Sequence, residues 1–328
     1  MITRRRVLIT LGAGALAAPL ASFAQQQSAK TYRIGWLGVA SASGEAGQVE
    51  VLRAGLRVLG YVEGKNIAFE YRWAEGKNDQ LPELAAELVR LKIDVIVTHG
   101  TPGTRATKQA TTTIPIVSAY SGDALATGLV ASLAKPGGNV TGMTFFFPEL
   151  SAKSLELLKH ALPRISRVAV VFNSDNPVNG PALQAMEVAA ELLKVRLQQF
   201  GVRGPKEFDG AFAAIAKSRV DAITVVQDSI FIVNPKAIAD LVAKQRLPSA
   251  GFMEFAEAGG LIGYGPNLHE MVRHAAYFVD RILKGAKPAD LPVEQPTKFE
   301  MVVNMKTAKA LGIKISDLIL LRADKVIE

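Results

Sequence analysis

From Tyr32 onward the chain alternates short runs rich in β-branched and aromatic residues with longer stretches whose apolar positions recur every three or four residues. Tyr32–Val39 (YRIGWLGV) predicts a strand, and Val49–Leu59 predicts a helix stopped by Gly60. Ile67–Tyr71 predicts a second strand and Leu81–Leu91 a helix with Leu81, Leu84, Ala85, Leu88 and Leu91 on one face. Asp94–Thr98 (DVIVT), a short helix over Thr104–Thr112 and a strand over Ile114–Ala119 complete the set. The second half repeats it: strand Arg167–Phe172, helix Pro181–Lys194, strand Arg196–Phe200, helix Phe208–Lys217 and strand Asp221–Val226 (DAITVV). Such alternation implies parallel sheets covered by helices on both faces, here as two similar lobes.

Three stretches interrupt the periodicity where the chain is expected to cross between lobes. They are Lys135–Gly142 with Met143–Phe147 after it, Ala258–Asn267 (AGGLIGYGPN), and Lys284–Pro296. Leu268–Leu283 is an amphipathic helix placed to return to the first lobe, and Phe299–Asn304 and Thr307–Leu311 are placed to rejoin the second. The expected division is 31–143 with 265–290 for the N-terminal lobe and 144–264 with 291–328 for the C-terminal lobe. The expected fold class is α/β, with two Rossmann-like parallel-sheet lobes joined by three hinge crossings.

Composition narrows the function. With 49% hydrophobic and 21% charged residues over 328 positions, the chain is neither disordered nor fibrous. It has no Cys, which removes disulfides, thiolate metal sites, cysteine nucleophiles and a lipid-modified cysteine anchor. Arg4, Arg5 and Arg6 precede an apolar run from Val7 to Ala18, and Ser22-Phe23-Ala24 places small residues at a cleavage site. That layout is a secretory signal over residues 1–24, with a twin-arginine-like head, and its apolar run is too short to span about 30 Å of hydrocarbon. Removing it takes three arginines and no acids from the net charge of +8. The remaining Lys and Arg alternate with acids and form no run of the kind a nucleic-acid partner selects. The mature chain is expected in the periplasm, without a lipid anchor and without a nucleic-acid partner.

Motifs for catalysis do not appear. His269 and His274 are spaced wrongly for metal ligation on one helix face, and there is no nucleophile elbow, Walker loop or dinucleotide fingerprint. No metal, no cofactor and no catalytic residue is expected. Small polar residues stand instead where each strand ends, the position at which open α/β sheets bind ligands. In the first lobe these are Ala40–Ser43, His99-Gly100-Thr101 and Tyr120-Ser121-Gly122-Asp123; in the second, Asn173–Asn176 and Gln227-Asp228-Ser229. Ser41, Ser43, Thr101 and Ser229 are equally suited to capping helices, and Asp123 to capping a helix near Ala124. Of the run Phe145, Phe146 and Phe147, alternation turns the middle ring opposite to the outer two. Tyr264, flanked by glycines, is the most accessible cleft aromatic.

The segments YRIGWL (32–37), GLRVLGYVEGKNI (55–67), TIPIV (113–117), GLVASLAKPGGNVTG (128–142) and KTAKALG (306–312) together resemble the tryptophan/tyrosine-type substrate-binding proteins of ABC transporters. The resemblance covers nearly all of the mature chain; members read Asp-Pro where this chain has Gly122-Asp123-Ala124. It implies a type I periplasmic-binding fold, a monomer that closes on a small-molecule solute by hinge bending, and a permease partner in the inner membrane. For an amino-acid ligand, the expected contacts are Ser41, Ser43 and Thr101 for the carboxylate and Asp123 or Asp228 for the ammonium. Tyr264 or a Phe of the 145–147 run would lie against the side chain, and Phe145, Tyr120 and Asn173 complete the expected ligand-binding set. Two other readings share the pattern: a ligand sensor serving a membrane receptor, and an α/β enzyme of glycosyltransferase-like or sugar-modifying type.

Overall fold

The computed structural model describes residues 30–328, and the export signal expected over residues 1–24 lies outside the described residues. The first sheet contains β1 (Tyr32–Gly38), β2 (Ile67–Trp73), β3 (Val95–Thr98), β4 (Ile116–Ser118) and β5 (Val140–Gly142). Their order is β2-β1-β3-β4-β5 and every pair is parallel. The helices between them are α1 (Ala42–Val58), α2 (Leu81–Arg90) and α3 (Gly100–Ala110). Alternation divides the strand side chains: Ile34, Trp36, Val95 and Val97 join the core with α1, while Leu37 and Ile96 join the one with α2.

The second sheet contains β6 (Arg167–Asn173), β7 (Arg196–Val202), β8 (Ala222–Val225), β9 (Ser249–Gly251), β10 (Ile262–Pro266), β11 (Phe299–Asn304) and β12 (Lys325–Ile327). Its order is β12-β11-β10-β9-β8-β6-β7, and only β10 and β11 run antiparallel. The remaining helices are α4 (Phe147–Ala161), α5 (Asn179–Leu193), α6 (Phe208–Lys217), α7 (Ser229–Ile232), α8 (Pro235–Gln245), α9 (Met253–Glu257), α10 (Leu268–Leu283), α11 (Met305–Leu311) and α12 (Asp317–Arg322). Among the described residues no helix is long and apolar enough to cross a membrane. The two parallel-sheet α/β lobes are those the alternating pattern implies.

Three segments differ from expectation. Val140–Gly142, inside the glycine-rich interruption, is a fifth strand of the first sheet. Gly142 permits it with φ at 126° and a backbone so close that an added Cβ would lie 2.1 Å from the Ser118 carbonyl oxygen. Met143–Phe147 forms no continuous strand: Phe145 makes one bridge to Gly122, and Phe147 opens α4 with Pro148 in the first turn. Within the expected crossing over Ala258–Asn267 lies β10, whose glycines hid it. Gly263 is required there because a Cβ would stand 2.7 Å from the Phe252 carbonyl oxygen and 2.8 Å from Ala256 Cβ.

Helix α10 follows β10 of the second sheet yet packs on α1 of the first. Gly55 makes the close approach, since a Cβ there would come within 2.9 Å of Ala276 Cβ. The Tyr61 hydroxyl donates to Asp280 Oδ1 at 3.0 Å, and burial together with that carboxylate pushes the phenol up to about 12.

The repeat between halves extends to one hydrogen-bonding device. Asp94, just before β3, accepts the Arg33 N–H at the start of β1. Asp221, just before β8, accepts the Ser166 and Arg167 N–H groups at the start of β6. Asp324, before β12, accepts the Met301 N–H. Each carboxylate thereby holds the ends of two neighbouring strands in register.

Although burial opposes ionisation of Asp221, those N–H groups, the Ser166 hydroxyl and Arg167 hold its carboxyl down at about 2. Because the folded value lies below the unfolded one, its contribution is full above about pH 4 and disappears as pH falls toward 2. Allowing for its 30% exposure, Asp221→Asn is expected to cost about 1–2 kcal/mol at pH 7 and nearly nothing at pH 2. Urea unfolding at the two pH values measures the difference.

Candidate functional site

The loops that follow the strands of the two sheets abut. A Cβ on Gly44, in the first turn of α1, would lie 3.3 Å from Val233 Cβ, and one on Gly76, after β2, 3.6 Å from Pro205 Cδ. Gly100, after β3, has φ at 70°, and a Cβ there would lie 2.8 Å from Ser229 Oγ. The C-terminal strand ends of both lobes thus form the walls of one closed cleft.

On the first-lobe wall a single carboxylate organises the loops. Glu45, in the first turn of α1 and fully buried, accepts the Ala40 N–H at 2.6 Å through Oε1 and the Trp36 Nε1–H at 3.0 Å through Oε2. His99 Nε2 lies 2.9 Å from the same Oε2, and His99 is also fully buried. Burial alone would raise the Glu45 carboxyl, but His99 and the donated N–H groups together hold it below the usual carboxylate range. The His99 ring packs 5.1 Å from that of Tyr120 and 5.7 Å from that of Trp36, and its Nδ1 has no hydrogen-bond partner among the described residues.

Tyr120, buried at the end of β4, shares a hydrogen bond of 3.2 Å with the Gln48 side chain. Burial, and after it the charge of Glu45, pushes its phenol well above the ordinary value; Glu254 and Asp228 of the second lobe act in the same direction. The buried Thr101 hydroxyl donates to the Gly122 carbonyl at 3.3 Å, and no side chain caps α3. Ser41 caps α1 by accepting the Gly44 N–H at 3.2 Å, with Ser43 Oγ 3.2 Å away.

On the second-lobe wall Asp228 caps α7. Its Oδ1 accepts the Asn173 side-chain amide at 3.0 Å and the Ile230 N–H at 3.1 Å, and its Oδ2 accepts the Asn176 amide at 2.7 Å. Burial outweighs these three donors and leaves the carboxyl raised. Glu254, in α9, is partly buried, and burial pushes it up to about 7. A narrow cavity beneath α4 is lined by Phe147, Ser151, Met186, Gln227, Phe252 and Tyr264.

The structure therefore brings together Ser41 with Ser43, Thr101 with Tyr120, and Asn173 with Asp228 at the facing strand ends. It does not bring the other expected residues to the same place. Asp123, at φ 38°, caps a turn through the Ala126 N–H rather than a helix, so one carboxylate oxygen is already engaged. Phe145 is buried in the core 6.0 Å from Phe147, while Phe146 is the exposed ring of the three. Tyr264 belongs to β10, not a loop; it is half-buried, stacks 6.3 Å from Phe299 and lines the narrow cavity with Gln227. His99 and Asn176 lie in strand ends expected to face a ligand, without a contact assigned to them, whereas Glu45, Gln48 and Glu254 were not expected there. The signal for Glu254 is an acid in the otherwise apolar GFMEFA that follows a strand.

Two parallel-sheet lobes joined by three crossings, with polar strand ends converging between them, define a two-lobed solute-binding protein. The family model described as "ABC transporter substrate binding protein" matches residues 39–327, and the chain belongs to that family. A solved ABC domain from Streptococcus pneumoniae in complex with L-Trp is 27% identical, with a TM-score of 0.80 covering 90% of this chain and 100% of that one. The "Tyrosine-binding protein" of Clostridioides difficile is 25% identical over 256 residues, 78% of this chain and 73% of that protein. The leucine-binding protein LivK of Thermotoga maritima, 12% identical, shares the type I periplasmic-binding fold at a TM-score of 0.58 over 77% of this chain and 83% of its own.

Replacing Glu45 leaves the Trp36 indole and the Ala40 N–H without their acceptor, and His99 without its charged neighbour, in a dry site. Glu45→Ala is expected to lower stability by about 3–5 kcal/mol, read as the shift in guanidinium unfolding midpoint at constant m. A change below about 1 kcal/mol, within the range of ordinary surface substitutions, would contradict that role.

Proposed function

We propose that the chain is the solute-binding component of an ABC importer, working as a monomer free in the periplasm. It captures an aromatic amino acid between its lobes and delivers it to an inner-membrane permease. The observation that carries this reading is the meeting of polar strand ends from both lobes, where Gly44 lies against Val233 and Gly100 against Ser229 beside the buried carboxylates Glu45 and Asp228. Glu45 has His99 beside it, but the ion pairs found among the described residues include none with Asp228 or Glu254. A ligand bearing an ammonium supplies the missing charge. The uncapped start of α3, with the Ser41, Ser43 and Thr101 hydroxyls nearby, suits a carboxylate. The ligands named for the two relatives, tryptophan and tyrosine, agree with this set.

Capture is binding without turnover, in keeping with a family of solute-binding proteins. The lobe of the first sheet, with α10 and residues 291–294, moves against the lobe of the second sheet, which keeps β10 whole, and contacts from both walls favour the closed form. Export through the signal over residues 1–24, and the lack of any Cys, support a free periplasmic protein.

A thermal-shift series of the 20 common amino acids tests the ligand class. At a hundredfold excess over Kd a true ligand adds about 2.7 kcal/mol, so tryptophan or tyrosine should raise Tm by several degrees and aspartate should not. No shift with any amino acid would refute the reading. Closure is tested with Gly44→Leu, whose side chain would enter the space of Val233. The variant is expected to fold normally, show a larger radius of gyration with ligand than the wild type by X-ray scattering, and bind about tenfold more weakly.

A further inference from the structure

The positive net charge has a place on the fold. The cleft takes up the C-terminal ends of the parallel strands, so their N-terminal ends form the far tip of each lobe. At the tip of the second lobe the segments before β6 and β9 meet the end of β11, which runs antiparallel to β10. Two adjoining apolar grooves open there, of about 860 and 750 Å³. Met305 and Ile315 line the first, Leu162 and Pro248 the second, and Ile313 belongs to both. Their rims carry Lys306, Lys309, Lys314, Arg164 and Arg246, all exposed. None of the five forms an ion pair or a side-chain hydrogen bond among the described residues, and Glu328 is the only acid lining either groove.

Helix ends explain only part of this charge. Lys309 stands in the last turn of α11, where a cation answers the helix dipole, but Lys306 stands in the first turn and opposes it. Arg164 and Lys314 lie outside any helix. Leu318 and Leu321, 60% and 84% exposed, project from α12, which begins just after Ile315 of the first groove. We infer that this tip docks on a bilayer surface carrying anionic phospholipid. The five cations meet lipid phosphates, and the two leucines enter the boundary between headgroups and acyl chains. Single leucines projecting beside unpaired cations suit a fluid phase that closes around them, whereas a protein partner would need a matching pocket for each. The KTAKALG segment supplies Lys306 and Lys309 to this tip and takes no part in the cleft. Docking through the tip leaves the mouth of the cleft uncovered, so solute capture continues on the membrane.

The test is co-sedimentation of the mature chain, residues 25–328, with phosphatidylcholine vesicles and with vesicles containing about 30% phosphatidylglycerol. Omitting the signal keeps its own arginines and apolar run from binding lipid. Wild type is expected to bind only the anionic vesicles, and to leave them as NaCl rises from about 0.05 to 0.5 M. Lys306→Glu/Lys309→Glu/Lys314→Glu should lose at least about 100-fold in vesicle affinity. Leu318→Ser/Leu321→Ser should lose about tenfold and keep the salt dependence. The control Lys65→Glu/Lys92→Glu/Lys135→Glu changes the net charge equally on exposed lysines of the first lobe and should bind within about threefold of wild type. Unfolding midpoints and solute titrations that match wild type establish that each variant is folded with its cleft intact. Equal loss in the control would overturn the assignment, since net charge alone would then account for binding. So would a wild type that ignores anionic vesicles or binds neutral ones as well.

Discussion

One buried carboxylate sets the geometry of the first-lobe wall. Glu45 gathers the end of β1 through Trp36 and Ala40, the start of α1 through its own position, and the end of β3 through His99. An ionised group with no access to solvent is tolerable only when its acceptor sites are filled, so these three segments are fixed relative to each other by a common need. Ser41, Thr101 and Tyr120 are carried on or packed against them. The polar edge of the first sheet is therefore rigid before any ligand enters, as a site must be if binding is to discriminate between similar solutes.

The second-lobe wall is built differently. Asp228 is anchored by two asparagines and a backbone N–H, which fix the loops without any cation. Glu254 stands next to that anchored loop with its own oxygens unclaimed by other residues. One wall thus holds its acid beside a histidine and two N–H donors, and the other holds its acid on uncharged amides.

The architecture was legible in the sequence because buried parallel strands such as DVIVT and DAITVV leave unbroken apolar runs and amphipathic helices such as Leu268–Leu283 leave a clear period. Strands built around glycine were not legible. In β5 and β10 the residue that permits tight backbone approach, Gly142 or Gly263, is the same residue that signals a break. The strand-end positions of the site followed from the fold, so Thr101, Tyr120, Asn173 and Asp228 could be placed. What each polar group does depends on partners distant in sequence, and so Asp123 was open to a ligand role it shares with a turn. Glu45 and Glu254 escaped because a single acid in a helix reads as solvated surface until its burial is known.

The position of α10 has a consequence for the order in which the protein takes shape. The helix that covers α1, with Ala276 over Gly55 and Asp280 under Tyr61, is encoded after the last residue of β10. A ribosome making the chain releases all five strands of the first sheet long before this helix exists. Until then the face of α1 around Gly55 and Tyr61 has no cover, whereas α4 to β10 form one contiguous stretch that can assemble at once. The second sheet in turn waits for β11 and β12, made after α10, so each lobe is closed by a segment that arrives after most of the other exists, and until α10 appears the bare face of α1 is the part that needs protection from premature association.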